Sequence, residues 1–181
     1  MTMYETAALE AVALVGADRA VLHEAVPASV DRIRARHPDR AGDAVTVLAA
    51  ALIVRGAAAI RDVGSTRSAA EQRVRLVEGV AARHTRGIDD LSVVTGPVLP
   101  LITRVRWGDF AGRSVLDAVD QAVADVEARA PGGTGSALYM LAVVVGVLCA
   151  DLARARGVTL DHLLDGMAMG MMTGWAQAAD G

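Results

Sequence analysis

Pro131-Gly132-Gly133-Thr134-Gly135-Ser136-Ala137-Leu138-Tyr139 places three glycines and two hydroxyl side chains directly ahead of a long apolar run. Glycine lets the main chain approach a ligand closely, and the N–H groups at a helix start attract anions. Thr134 and Ser136 add hydroxyl donors. Gly132, Gly133, Thr134, Gly135 and Ser136 are therefore candidate phosphate-binding positions; a tight interhelical turn would use the same residue types. A second candidate is Thr85-Arg86-Gly87-Ile88-Asp89-Asp90. The adjacent carboxylates of Asp89 and Asp90 offer hard oxygen ligands to Mg²⁺, although a helix cap or a solvated turn has the same composition. The third is Arg106-Trp107-Gly108-Asp109-Phe110-Ala111-Gly112, which reads either as a ligand wall or as an aromatic anchor.

Other reactive side chains are sparse. His23, His37, His84 and His162 show no metal-ligand spacing, and His84 stands out only because it precedes the Gly87–Asp90 loop. Cys149, the single cysteine, lies within the apolar run Ala137–Ala150 and reads as a small core residue. The cluster Met167, Met169, Met171 and Met172 reads as a packing surface. No Walker loop, dinucleotide fingerprint or hydrolase serine elbow is present.

The elements that must position these loops are helical. Apolar periodicity predicts helices over Tyr4–Val15, Asp18–Arg36, Asp43–Arg61, Ser68–Arg83, Val94–Val105, Arg113–Arg129, Gly135–Arg156 and Thr159–Trp175. Asp18, Asp43 and Thr159 are expected caps. A short extended piece over Leu91–Val94 is the one alternative to helix, and Pro97 and Pro100 argue against a sheet there.

The chain also repeats itself. With a shift of 93 residues, Ala25–Thr66 matches Ala118–Thr159 at fifteen of 42 positions without a gap, including Val26/Val119, Pro38/Pro131, Gly42/Gly135, Leu48/Leu141 and Gly64/Gly157. In the first half, the loop His37–Asp43 has one glycine and two carboxylates where the second half has three glycines. The expected architecture is all-α: an eight-helix antiparallel barrel or bundle with a pseudo-twofold between halves of about 1–87 and 88–181, forming one domain over 1–181.

Composition narrows the function classes. The 181 residues are 53% hydrophobic but only 3% aromatic, so Ala, Val and Leu must fill the core. The net charge of −3 comes from interspersed residues, with no basic stripe, so nucleic acid is not an expected partner. Met1–Val15 lacks the basic start of a signal peptide, and the apolar run Ala137–Ala150 is shorter than the roughly 20 residues that span a bilayer. A cytoplasmic protein without a membrane partner is the expectation.

Gly132-Gly133-Thr134-Gly135-Ser136-Ala137-Leu138-Tyr139 resembles the GGTSGALYG stretch of the dihydroxyacetone kinase L-subunit (DhaL) family. Gly157–Met167 is similar to that family's following helix. In a second register, Ala81–Ile102 resembles the family segment carrying a Gly-Asp pair, and Pro131–Ala137 resembles its later DPGA loop. The resemblance covers roughly half the chain. It implies an eight-helix barrel that binds ADP or ATP through Mg²⁺ and phosphorylates dihydroxyacetone or a related small-molecule substrate held by a DhaK-like partner subunit. It assigns Asp89 and Asp90 to the metal and to catalysis, and Gly132 to Ser136 to the phosphates. A homodimer is a further expectation. The family's metal loop, GDGDxG, has carboxylates two apart; here Asp89 and Asp90 are adjacent. Two alternatives follow: a catalytically degenerate binding or regulatory protein, or an enzyme using metal-independent chemistry in the same cavity.

Overall fold

The computed structural model describes residues 1–61, 66–83, 91–110 and 112–166. The elements are α1 (Met3–Gly16), α2 (Leu22–Arg36), a 3₁₀ turn (Pro38–Asp43), α3 (Ala44–Ala59), α4 (Arg67–Arg83), α5 (Leu91–Thr95), α6 (Pro100–Trp107), α7 (Val115–Arg129) and α8 (Thr134–Arg156). Residues 160–166 are helical again. No strand occurs among the described residues, and the fold is all-α.

Local chemistry explains several of the ends. The Thr2 hydroxyl accepts the Glu5 N–H, and the Glu5 carboxylate accepts the Thr2 N–H, forming a capping box at α1. Ser114 and Asp117 repeat the arrangement at α7. α6 and α8 stop at Gly108 and Gly157, both in the left-handed region (φ 66° and 67°), where a glycine carries no Cβ penalty.

α3 and α8 form the centre. Most residues of both are buried, and they pack on each other, on α1 and, between them, on α4, α6 and α7. Small side chains allow this closeness. A Cβ on Gly56 would meet Val145 at 3.1 Å and Ile102 at 3.2 Å. Where Leu148 stands in α8, the repeat places Arg55 in α3, and Arg55 is fully buried. Burial lowers its pKa from the ordinary guanidinium value. The bounds of α2 and α7 also lie 93 residues apart, with Val26/Val119 and Ile33/Val126 buried at matching positions.

Several expectations change. The single helix expected over Val94–Val105 is two helices. Pro97 lies in the four-residue turn, and Pro100 opens α6 at a position where its missing N–H costs nothing. Leu91–Val94 is helical, not extended. α2 begins at Leu22, because Asp18 accepts the Ala20 N–H within a preceding turn (3.0 Å). Asp43 occupies the N-cap of α3, yet its carboxylate pairs with Arg40. Thr159 does accept the His162 N–H, at 3.2 Å. Of the last expected helix, residues 167–175 lie outside the described residues, with the whole methionine cluster. By length and composition 38–59 and α8 could each cross a membrane, so the apolar run is longer as a helix than Ala137–Ala150 suggests; most of each lies buried within the fold.

Candidate functional site

The largest cavity among those described runs between α2 and the start of α8, and holds about 500 Å³, within the usual range for small-molecule sites. One wall is α2 from Leu22 to Arg34, a stretch of about 18 Å at 1.5 Å per residue. The other is the glycine-rich turn and the first two turns of α8, through Tyr139. Val45 of α3 contributes to the lining.

The turn is held by specific contacts. Gly132 adopts φ 77° and donates its N–H to the Glu127 carboxylate at 3.0 Å. Gly133 is the N-cap of α8, and no side chain caps this end. The first-turn N–H groups therefore have no intrahelical acceptor and no capping oxygen. Gly132, Thr134, Gly135 and Ser136 all line the cavity. Gly133 does not: a Cβ there would lie 2.7 Å from the Ala130 carbonyl oxygen and 3.1 Å from Val94, so this glycine serves close packing against α5. Gly135 is open, and a Cβ there would meet nothing within 4 Å.

α2 supplies the opposing chemistry. His23 is exposed and lies flat on the ring of buried Tyr139, with centroids 4.4 Å apart and planes 8° apart. Pro27, inside α2, has no N–H to give to the His23 carbonyl four residues back, which removes one helical hydrogen bond on the cavity wall. Arg34 contributes a guanidinium whose only partner among the described residues is Asp31, at 3.4 Å on an exposed surface. Such an exposed, long contact is weak, so Arg34 can reorient toward a bound anion. Leu22, Val26, Val30 and Leu138 complete an apolar portion. The cavity thus combines helix-start N–H groups, two hydroxyls and a guanidinium with an aromatic pair and aliphatic surface. It suits an anionic group joined to a flat or apolar body.

The remaining candidates separate from this cleft. Asp89, Asp90 and His84 lie outside the described residues. Among the described residues no group of three or more His, Cys, Asp or Glu side chains could hold a metal ion. Asp31 is the one carboxylate lining the cleft, so the described residues do not by themselves make a Mg²⁺ site. Of the third candidate segment, Phe110 is an anchor, buried beneath Arg104, and Asp109 pairs with Arg67 at 3.0 Å. In the matching loop of the first half, Asp39 and Asp43 belong to no group of three or more possible metal donors among the described residues, and His37 meets the Thr6 hydroxyl at 2.9 Å. Cys149 is fully buried, and burial pushes its thiol up to about 11.

The sequence alone does not mark His23, Pro27 and Arg34 as site residues. Their spacing of four and seven puts them on one face of α2, but nothing in the sequence says that this face meets the glycine-rich turn. Comparisons with protein-family models, curated proteins and solved structures found no match.

Proposed function

We propose that this protein binds a phosphate-bearing ligand of the nucleotide type in the cleft between α2 and the Gly132–Ser136 turn. The observation that carries this reading is the joint lining of one cavity by the uncapped start of α8, the Thr134 and Ser136 hydroxyls, Arg34 and the His23–Tyr139 pair. Phosphate oxygens would take the first-turn N–H groups, the hydroxyls and Arg34. A flat ring would lie against the exposed face of His23, and a ligand hydroxyl or amine would satisfy the His23 carbonyl that Pro27 leaves without its helical donor. The Glu127 carboxylate on Gly132 and Asp31 in the cleft oppose excess negative charge, which favours a ligand whose phosphates are few or partly neutralised.

The finer architecture we propose is a barrel-like arrangement of two related halves. It is supported by the 93-residue offset shared by the sequence repeat and by the bounds of α2 and α7. In this arrangement the second half keeps the ligand turn, and the first half replaces it with the 3₁₀ turn Pro38–Asp43.

A second reading goes further: a DhaL-like phosphotransferase subunit that uses Mg-ADP or Mg-ATP and acts on a hydroxyketone presented by a partner. It is favoured by the Gly132–Tyr139 stretch. It would require Asp89 and Asp90 as metal ligands, whereas binding requires only the cleft. Calorimetric titration with ADP and ATP, with and without Mg²⁺, separates them. Binding independent of Mg²⁺ supports the binding protein; binding that needs Mg²⁺ and is lost in Asp89→Asn supports the phosphotransferase. Absence of binding under all conditions rejects both.

A further inference from the structure

A second cavity, of about 250 Å³, lies between α4 and the α5–α6 segment and shares no residue with the first. Arg67, Glu71, Arg75 and Glu78 approach it from one face of α4, at spacings of four and three. Most of the charge around it is already answered. Arg67 pairs with Glu71 at 2.9 Å and with Asp109 at 3.0 Å. Arg104 donates to the Asp109 carbonyl at 3.1 Å and lies over Phe110. The Thr103 hydroxyl donates to the Pro100 carbonyl at 2.9 Å.

Two charges are not answered. Arg75 makes no hydrogen bond or ion pair among the described residues, and it is exposed at the cavity. Glu78 has no cation partner among them; its carboxylate accepts the hydroxyl of fully buried Thr95 at 2.5 Å, which holds it in place from behind. Arg75 and Glu78 stand one helical turn apart, where opposite charges ordinarily pair, yet they do not pair here. Val74, Leu99 and Pro100 give the cavity an apolar surface.

We propose that this cavity is a binding site for a small zwitterion with an apolar side group, of the α-amino acid class. Its carboxylate meets Arg75, its ammonium meets Glu78, and its side group lies against Val74, Leu99 and Pro100. A simple anion would be repelled by Glu78 and a simple cation by Arg75, so only a ligand carrying both charges satisfies both residues. The volume is half that of the α2–α8 cleft, which suits a ligand smaller than a nucleotide.

The test uses the full chain, with L-valine, L-leucine, L-isoleucine and L-methionine as probes, followed by thermal shift and calorimetry. 4-Methylpentanoate and 3-methylbutylamine, each lacking one charge of leucine, are the controls. The expected result is saturable binding of at least one amino acid. Both controls should bind at least about tenfold more weakly, and Arg75→Gln should lose a similar factor. Arg75 is exposed, so this variant should retain its fold, as circular dichroism would show; Glu78→Gln provides a second variant. Absence of binding by all four amino acids overturns the proposal, as does binding that survives unchanged in both variants. ADP affinity should be the same in Arg75→Gln as in the parent, so failure of either site is read independently of the other.

Discussion

The imidazole of His23 in α2 lies parallel to the phenol ring of Tyr139 in α8, with centroids 4.4 Å apart. This stack joins the two walls of the cleft, with Tyr139 buried and His23 outside it. A ligand ring stacked on the exposed face of His23 would gain about 0.5–1.5 kcal/mol beyond its buried area. His23→Ala should therefore weaken ADP binding about three- to tenfold, measured by calorimetry. Tyr139→Phe, which keeps the ring, should bind like the parent.

Pro27 gives up one helical hydrogen bond at the cleft wall. Pro27→Ala would restore the N–H to His23 carbonyl bond inside α2. It should stabilise the protein by about 1–3 kcal/mol in urea unfolding, and should also weaken ligand binding. A gain in stability with unchanged ADP affinity would mean that the His23 carbonyl takes no part in recognition.

Glu10 gives the acid limb of stability. It is buried and receives two hydrogen bonds from Arg32, at 2.8 and 2.7 Å. Burial alone would push its carboxyl up, but hydrogen bonds from Arg32 and Ser29 and the nearby guanidinium charge leave it below its ordinary value of 4.5. A carboxyl lowered in the folded state contributes stability above its unfolded pKa and loses it as pH falls through the folded pKa. Unfolding free energy should thus be steady near neutrality and fall below about pH 4.5. Glu10→Gln should be less stable by about 1–2 kcal/mol at pH 7 and should lose less between pH 5 and pH 3.

Cys149 should be inert in the folded protein. With its thiol pushed up to about 11 by burial, against the opposing charge of Arg55, little thiolate exists at pH 8. Reaction with a disulfide reagent should be about a hundredfold slower, or more, than in denaturant, as followed by absorbance. Rapid labelling of native protein would contradict its place in the core.

The sequence carries the helical elements well because their apolar spacing is strong; α8 and α2 end at Arg156 and Arg36, as the periodicity predicts. Periodicity alone misses the α5–α6 break, because apolar spacing runs on past Pro97 and Pro100 although proline cannot take an interior N–H bond. The Thr2–Glu5 and Ser114–Asp117 boxes are legible as hydroxyl and acid three apart. The glycine-rich turn is equally visible, but the role of Gly133 is not, because its closeness to Ala130 and Val94 depends on how α5 docks. His23 and Arg34 become site residues only through the packing of α2 on α8, which no local spacing encodes.

Gly133 and Gly135 make contrasting probes of that turn. Gly133→Ala would drive a Cβ to 2.7 Å from the Ala130 carbonyl oxygen. It should destabilise the fold by about 1–3 kcal/mol, as overpacking does, in urea unfolding.

The decisive measurement is ADP affinity, by calorimetry, in the parent and in Gly135→Asp. The side chain at 135 has open space, and an aspartate in the first turn favours the helix, so the variant should fold with unchanged or raised stability. Its carboxylate would occupy the anion end of the cleft. Saturable ADP binding by the parent, abolished in a fully folded Gly135→Asp, is the predicted result. Equal ADP affinity in both proteins, or none in the parent, would contradict a phosphate site at the start of α8.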